Sequence, residues 1–213
     1  MPSSDELSPR ARAKRDQIRD GARRLFLRRG FADATTDAIA TEAGVSKQTL
    51  YVYYPNKEEL FADVLSHLIR QGPPGPLLPT APPDLATVAD LRRALGTIAL
   101  QLIARFMQPE YLALMRVVFS ETPRAPGVGA LFRSAVPERV LGGVAAILAA
   151  GQAKGIVREL DRDAAARMLV GPLLTYAILD GLLIGDGPPR LPAPERIESI
   201  VDLFTRAVVA PER

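Results

Sequence analysis

"TTDAIATEAGVSKQTLYVYYPNKEEL", residues 35–60, reads as two short helices wrapped around a glycine, followed by the start of a third. Taken alone, Lys47–Tyr53 would be a poor helix of about two turns with two β-branched residues. Isolated helices below about 12–15 residues are marginal in water. Something outside the segment must hold it. Thr36 is a candidate cap for a helix from Asp37 to Ala43, Gly44 permits a chain reversal, and Ser46 is a candidate cap for Lys47–Tyr53. Two helices joined by a short turn containing glycine form a helix-turn-helix. Ile39, Val45 and Leu50 are its expected core, closed by Ile18, Leu25 and Phe26 of the preceding helix.

The outer side of Lys47–Tyr53 carries chemistry. Lys47, Gln48, Thr49, Tyr51 and Tyr53 are its expected exposed residues, and a helix fits a major groove about 12 Å wide. Lys and Gln hydrogen-bond guanine and adenine edges, and Thr offers a hydroxyl and a methyl. Tyrosine hydroxyls, Lys57 and the helix start at Thr36 suit phosphate oxygens. The bland alternative is a solvated polar face on a helical hairpin. Charge distribution leans toward a polyanion: residues 1–57 hold 11 Lys and Arg against 7 Asp and Glu, whereas residues 58–213 hold 16 against 17.

The rest of the 213-residue chain is read as helical, because apolar positions recur at helical spacing and sustained two-residue alternation is not found. A first helix covers Pro9–Arg29 and stops at Gly30. Asn56 with Glu59 forms a capping box for a helix that runs to about Gln71. "GPPGPLLPTAPP", residues 72–83, has six prolines in twelve residues and is expected to be a semi-rigid connector. Beyond it helices are expected over Thr87–Met107, Pro109–Ser120, Val136–Lys154, Asp161–Gly185 and Pro194–Val209, with a short turn of helix at Gly127–Arg133.

The composition, 47% hydrophobic and 24% charged with no cysteine, is that of a globular chain without disulfides or thiolate metal sites. The longest apolar run, Met168–Ile184, is 17 residues with Pro172 and Asp180 inside it, short of the roughly 20 that span a bilayer. The N-terminus shows no apolar signal region, so the expected compartment is the cytoplasm. His67 is the only histidine and is read as a solvated helical side chain; with no cysteine a two-ligand His/Cys metal site cannot be assembled, and no catalytic residue, metal or cofactor is expected.

The stretch "TTDAIATEAGVSKQTLYVYYPNKEELFADVL" resembles the DNA-binding signature of the TetR family of bacterial transcriptional regulators, over about 50 residues from Gln17 to Leu65. The resemblance implies an all-α homodimer: an N-terminal three-helix helix-turn-helix domain (1–55, with 1–8 a disordered arm) that binds palindromic operator DNA, and a helical ligand-binding and dimerisation domain (56–213). It implies phosphate contacts from Thr36, Tyr51, Tyr53 and Lys57, and base-facing Lys47, Gln48 and Thr49. Asp37 departs from the pattern, standing where some relatives place an arginine that reads a base. "YLALMRVVFSETPRAPGVGALFRSAVPERVLGGVAAIL" more loosely resembles AcrR/AefR-like C-terminal domains. A small apolar effector is expected among Leu102, Phe106, Tyr111, Met115, Phe119 and Tyr176, with Gln101, Arg105, Arg116 and Tyr176 as candidate polar handles. Each of these is equally readable as core. Dimerisation is expected through helices 161–185 and 194–209. The first is apolar nearly all round, with small residues Ala177, Gly181 and Gly185 every four positions. The second presents Ile197, Ile200, Val201, Phe204 and Val208 on one face.

Overall fold

The computed structural model describes residues 8–70, 83–123, 126–184 and 187–211. The expected arm and connector therefore fall, except for residues 8 and 83, outside the described residues, as does Gly185. The described chain is helical: α1 (Pro9–Arg29), α2 (Thr36–Ala43), α3 (Lys47–Tyr53), α4 (Lys57–Arg70), α5 (Val88–Phe106), α6 (Pro109–Glu121), α7 (Pro126–Ala135), α8 (Pro137–Ala153), α9 (Arg162–Ala177) and α10 (Pro194–Val208). A single π turn, Ile178–Leu182, extends α9, and Val157 pairs with Val209 in an isolated antiparallel bridge. Contacts divide the chain into two compact units, one drawn from Met1–Leu68 and Ala113–Ala135, the other from Ile69–Leu112 and Val136–Arg213. This division differs from the functional boundary at 55/56 read from the sequence, since the first unit takes in most of α4 and a later stretch around α6 and α7.

In the first unit, α1 and α2 cross so closely that a Cβ on Gly21 would lie 2.8 Å from both Cα and Cβ of Ala43. Only glycine fits there. Gly44, at φ +64°, ends α2 in the left-handed conformation that lets the chain turn toward α3. Ile18, Leu25, Phe26, Ile39 and Leu50 are buried as expected, and Val45 packs against them half-buried. The largest additions to the expected set are Phe31, Tyr54 and Phe61. Phe61 sits edge-on to Phe26 at 5.0 Å and 5.1 Å from Phe31, an arrangement that favours aromatic pairs. Leu114, Val118 and Val128 close the cluster from the later stretch of chain.

On the outer side of α2, Glu42 accepts from Arg24 (2.8 Å) and Arg28 (2.5 Å) of α1. Those two guanidinium hydrogen bonds hold the Glu42 carboxyl down to about 2 from its ordinary 4.5.

In the second unit, Leu91, Leu95, Ile98, Leu102 and Phe106 line the buried face of α5, as their spacing implied. A capping box of Thr87 and Asp90 starts that helix. α9 packs against α5, α8 and α10. Counted with its π turn, Arg162–Leu182 is long and apolar enough to cross a membrane by length and composition, yet its Ala165, Ala166, Leu169, Val170 and Leu173 are buried in this unit. Two members of the small-residue stripe face inward, not toward a partner helix. Ala177 and Gly181 are buried, and a Cβ on Gly181 would meet Leu112 Cδ1 at 2.9 Å, so these two serve close packing inside the unit. The outward strip is instead Leu174, Ile178, Leu179 and Leu183. On α10, Ile197, Val201, Phe204 and Val208 are internal core, Ile200 is half-buried, and Leu203 is the exposed apolar residue.

Two outcomes follow from the first unit. Gly21→Ala gains about 1 kcal/mol of helix propensity. It must nevertheless push α1 and α2 apart, and overpacking costs about 1–3 kcal/mol. A lower melting temperature is expected; an unchanged or higher one means the crossing is slack. For Glu42, the folded pKa lies below the unfolded one. Its contribution to stability is thus complete above about 4.5 and lost as pH falls toward 2. Glu42→Gln should weaken amide protection in α2 at neutral pH, and should remove part of the extra acid-induced loss seen in the wild type between those values. Equal acid sensitivity in both proteins would contradict the assignment.

Candidate nucleic-acid interface

Both helices of the helix-turn-helix are capped at their N-termini by hydroxyls. Thr35, not Thr36, caps α2, accepting from the Ala38 N–H at 3.2 Å, so Thr36 becomes the first helical residue. Its hydroxyl is thereby free to face α3, where it lies 3.3 Å from the Tyr51 hydroxyl. Ser46 caps α3 as expected, accepting from the Thr49 N–H at 3.0 Å. The Ser46 and Thr49 hydroxyls also share a hydrogen bond of 2.8 Å, which occupies part of the hydroxyl expected to face a base. Gln17 of α1 donates to the Ala43 carbonyl at 2.6 Å, satisfying one of the acceptors left open at the end of α2.

α3 turns Leu50 inward, fully buried, and its exposed residues are Lys47, Gln48, Tyr51 and Val52. Thr49 and Tyr53 are half-buried, and Tyr53 packs against the core. The expected set thus falls mainly on one side of α3, with Val52, 74% exposed, an apolar member that the sequence reading missed. Lys47 is paired: its ammonium bridges both Asp37 oxygens, at 2.8 and 3.0 Å. Hydrogen bonding to Asp37 first, and Coulomb attraction second, raise the Lys47 pKa above its ordinary value.

Lys57 has work inside the fold. Its ammonium donates to the carbonyls of Phe31 (2.7 Å) and Ala32 (3.2 Å) and stands 4.3 Å over the Phe31 ring. Those carbonyls lie in the α1–α2 connection, so the cation closes that turn and has one remaining donor for an outside acceptor.

The α3 end is anchored by a network that spacing alone did not reveal. Tyr54, 1% exposed, donates to Asp63 of α4 at 2.6 Å, and Arg15 Nε of α1 donates to the Tyr54 oxygen at 3.2 Å. Arg15 and Arg19 both stand beside Asp63, at 3.5 and 3.6 Å. Burial, then the hydrogen bond to Asp63, push the Tyr54 phenol well above its ordinary range, keeping it a donor at neutral pH.

The six effector candidates are divided. Leu102, Phe106 and Tyr111 are buried in the second unit, where the Phe106 and Tyr111 rings stack at 5.5 Å, and Tyr176 there is half-buried. Met115 and Phe119 belong to the first unit, half-buried and 55% exposed respectively. Of the candidate polar handles, Arg105 is buried and donates to the Gln101 carbonyl at 3.3 Å, while Arg116 is exposed. A surface groove of about 620 Å³ in the second unit, lined by Val88, Arg158, Thr205, Arg206 and the Val209–Pro211 segment, involves none of the six.

Residues 18–64 match the family model described as bacterial regulatory proteins of the tetR family, and residues 93–208 match that of the AefR-like transcriptional repressor C-terminal domain. The chain is 28% identical over 189 residues to YdeS of Bacillus subtilis, an HTH-type transcriptional regulator, covering 85% of this chain and 87% of that one. Over 53 residues it is 49% identical to the HTH-type transcriptional repressor SCO4008 of Streptomyces coelicolor, a match to 25% of this chain and only 28% of that protein's length. Among solved structures, the flavonoid-responsive regulator FrrA is 31% identical with a TM-score of 0.70, covering 94% of this chain and 99% of that one. A TetR regulator from Agrobacterium tumefaciens, at 21% identity and a TM-score of 0.72 over 95% of this chain and 96% of that one, shares the fold. The helix-turn-helix seated on α1 and α4 and the helical C-terminal domain that follows it place this chain in the TetR family of bacterial transcriptional regulators, with an AefR-like C-terminal domain.

Proposed function

We propose that the protein is a ligand-responsive, non-enzymatic transcriptional repressor of the cytoplasm, binding palindromic operator DNA as a homodimer and released by a small apolar effector. The observation that carries this reading is the outer side of α3. Lys47, Gln48, Tyr51 and Val52 project from a helix whose inner side is held by Leu50 and whose end is pinned by Tyr54, so donors and apolar surface are presented rigidly. Gln48 and Lys47 face bases, Thr49 offers chiefly its methyl, and Thr36, Tyr51, Tyr53 and Lys57 contact phosphates. Residues 1–55 form the DNA-binding part and 56–213 the part that takes effector and partner.

The outward strip Leu174, Ile178, Leu179 and Leu183, with Leu203 of α10, supplies the apolar surface for a two-fold bundle. The two α3 helices then meet half-sites about 34–36 Å apart or a multiple of that spacing. Effector bound among the C-terminal helices tilts α4 and changes the separation, a coupling of about 1–3 kcal/mol. Of the effector candidates, Leu102, Phe106, Tyr111 and Tyr176 share the second unit and Met115 and Phe119 belong to the first; the stacked Phe106–Tyr111 pair suits a planar apolar molecule. Kinship with FrrA makes flavonoids the first compounds to screen.

Footprinting the purified protein on the intergenic DNA upstream of its own gene tests the reading; no protected, salt-sensitive site there or in a random duplex pool would overturn it. Gln48→Ala should cost about 1–3 kcal/mol on the operator and little on random DNA. Lys57→Ala should weaken both about equally, with a salt slope lower by roughly one unit per subunit. It should also lower the melting temperature, because two carbonyls lose their donor. The reverse pattern, with specificity changing in Lys57→Ala and only the salt slope in Gln48→Ala, means α3 docks differently. For the dimer, Leu179→Glu is the informative change, since Gly181→Arg would disrupt packing against Leu112. Monomers in sedimentation are expected; an unchanged dimer places the interface elsewhere.

A further inference from the structure

Asp37 is the anomaly of the interface: an acid, with its side chain 68% exposed, on the side of the headpiece read as facing a polyanion. Its carboxylate meets the Lys47 ammonium with both oxygens, linking the first turn of α2 to the first residue of α3. Beside this bridge the Thr36 and Tyr51 hydroxyls make a second one between the same two helices. We propose that Asp37 is a specificity-determining residue, which suppresses non-specific DNA binding by cancelling the charge of Lys47. The inference rests on the reading of α3 as the DNA-contacting helix.

Binding to random DNA is driven by cations that neutralise phosphates and release counterions, a gain of about 0.9 in salt slope per phosphate. A lysine with a carboxylate at 2.8 Å offers a dipole to the backbone instead of a charge. To reach a phosphate it must leave Asp37, which then faces the polyanion unpaired. A base edge makes no such demand. The major-groove edge of a G·C pair presents acceptors at guanine O6 and N7 and a donor at cytosine N4. An ammonium and a carboxylate held side by side match those groups without separating. The pair therefore penalises backbone contact and tolerates readout. Exposed ion pairs contribute little to stability, so removing the acid leaves the fold intact and isolates its effect on DNA.

The experiment uses the full-length protein, a duplex that the wild type enriches from a random pool, and a shuffled duplex of the same composition, titrated at several salt concentrations. Asp37→Asn should bind the shuffled duplex severalfold tighter, with a salt slope steeper by about one unit per subunit. The enriched duplex should gain less, so the ratio of the two affinities falls. In the double variant Asp37→Asn with Lys47→Ala, the gain on shuffled DNA should disappear. Unchanged affinity and slope in Asp37→Asn, or a gain that persists in the double variant, overturn the inference and leave DNA binding standing. Absence of salt-dependent DNA binding by the wild type overturns both.

Discussion

The hydrogen bond from the Tyr54 hydroxyl to Asp63, at 2.6 Å, is the contact on which the presentation of α3 depends. A seven-residue helix with two β-branched positions does not persist by propensity. It persists because Leu50 is buried at its middle and Tyr54 just past its end. A buried phenol left without a partner costs free energy, and Asp63 supplies the acceptor. That carboxylate is mostly buried and would be costly alone, so Arg15 and Arg19 of α1 stand beside it. Each group needs the next. The end of α3, the middle of α1 and the second turn of α4 are consequently fixed to one another. Side chains on the outer side of α3 keep their spacing because the inner side cannot shift without breaking this chain.

The same accounting changes the meaning of the basic N-terminal quarter. An excess of four positive charges over residues 1–57 suggests a surface that attracts polyanions. Much of that charge is used internally. Arg15 and Arg19 attend Asp63, Arg24 and Arg28 share Glu42, Lys57 closes the α1–α2 connection, and Lys47 is held by Asp37. These four arginines of α1 behave as fasteners between helices. What faces outward from α3 is accordingly less a field of charge than a set of donors with fixed positions, next to the apolar Val52. Fixed donors discriminate among base edges; a diffuse positive field does not.

Helices and their inner faces were legible because they follow from periodicity. Leu91, Leu95, Ile98, Leu102 and Phe106 recur every three or four residues, and all are buried. The α3 cap was legible for a similarly local reason: Ser46 sits immediately before the helix it starts. Contacts between distant residues left no such signal. Nothing in the spacing of Tyr54 and Asp63, or of Asp37 and Lys47, says that they meet. Lys57 stands in the first turn of its helix, where the dipole disfavours a cation. The reason for its presence is two carbonyls about 25 residues earlier. Thr36 was read as the α2 cap, but its neighbour Thr35 takes that place, which leaves the Thr36 hydroxyl beside Tyr51.

The misreading of α9 shows why a helix that is apolar on all sides resists assignment from sequence. Such a helix has two covered faces, and periodicity does not say which residues look inward. Small residues every four positions are compatible with close approach to a partner or to the helix's own domain. The structure resolves this through the π turn at Ile178–Leu182, where the Leu183 N–H bonds to the Ile178 carbonyl five residues back. In a regular helix a five-residue step rotates the side chain to a different face. In the wider turn it returns to the same one. Leu183 therefore continues the exposed line of Leu174 and Ile178, while Gly181 is brought against Leu112 on the inner side. A bulge that looks like an irregularity keeps an apolar strip continuous outside and a glycine-sized contact inside. In the proposed dimer, that continuity sets how long a seam the two copies share.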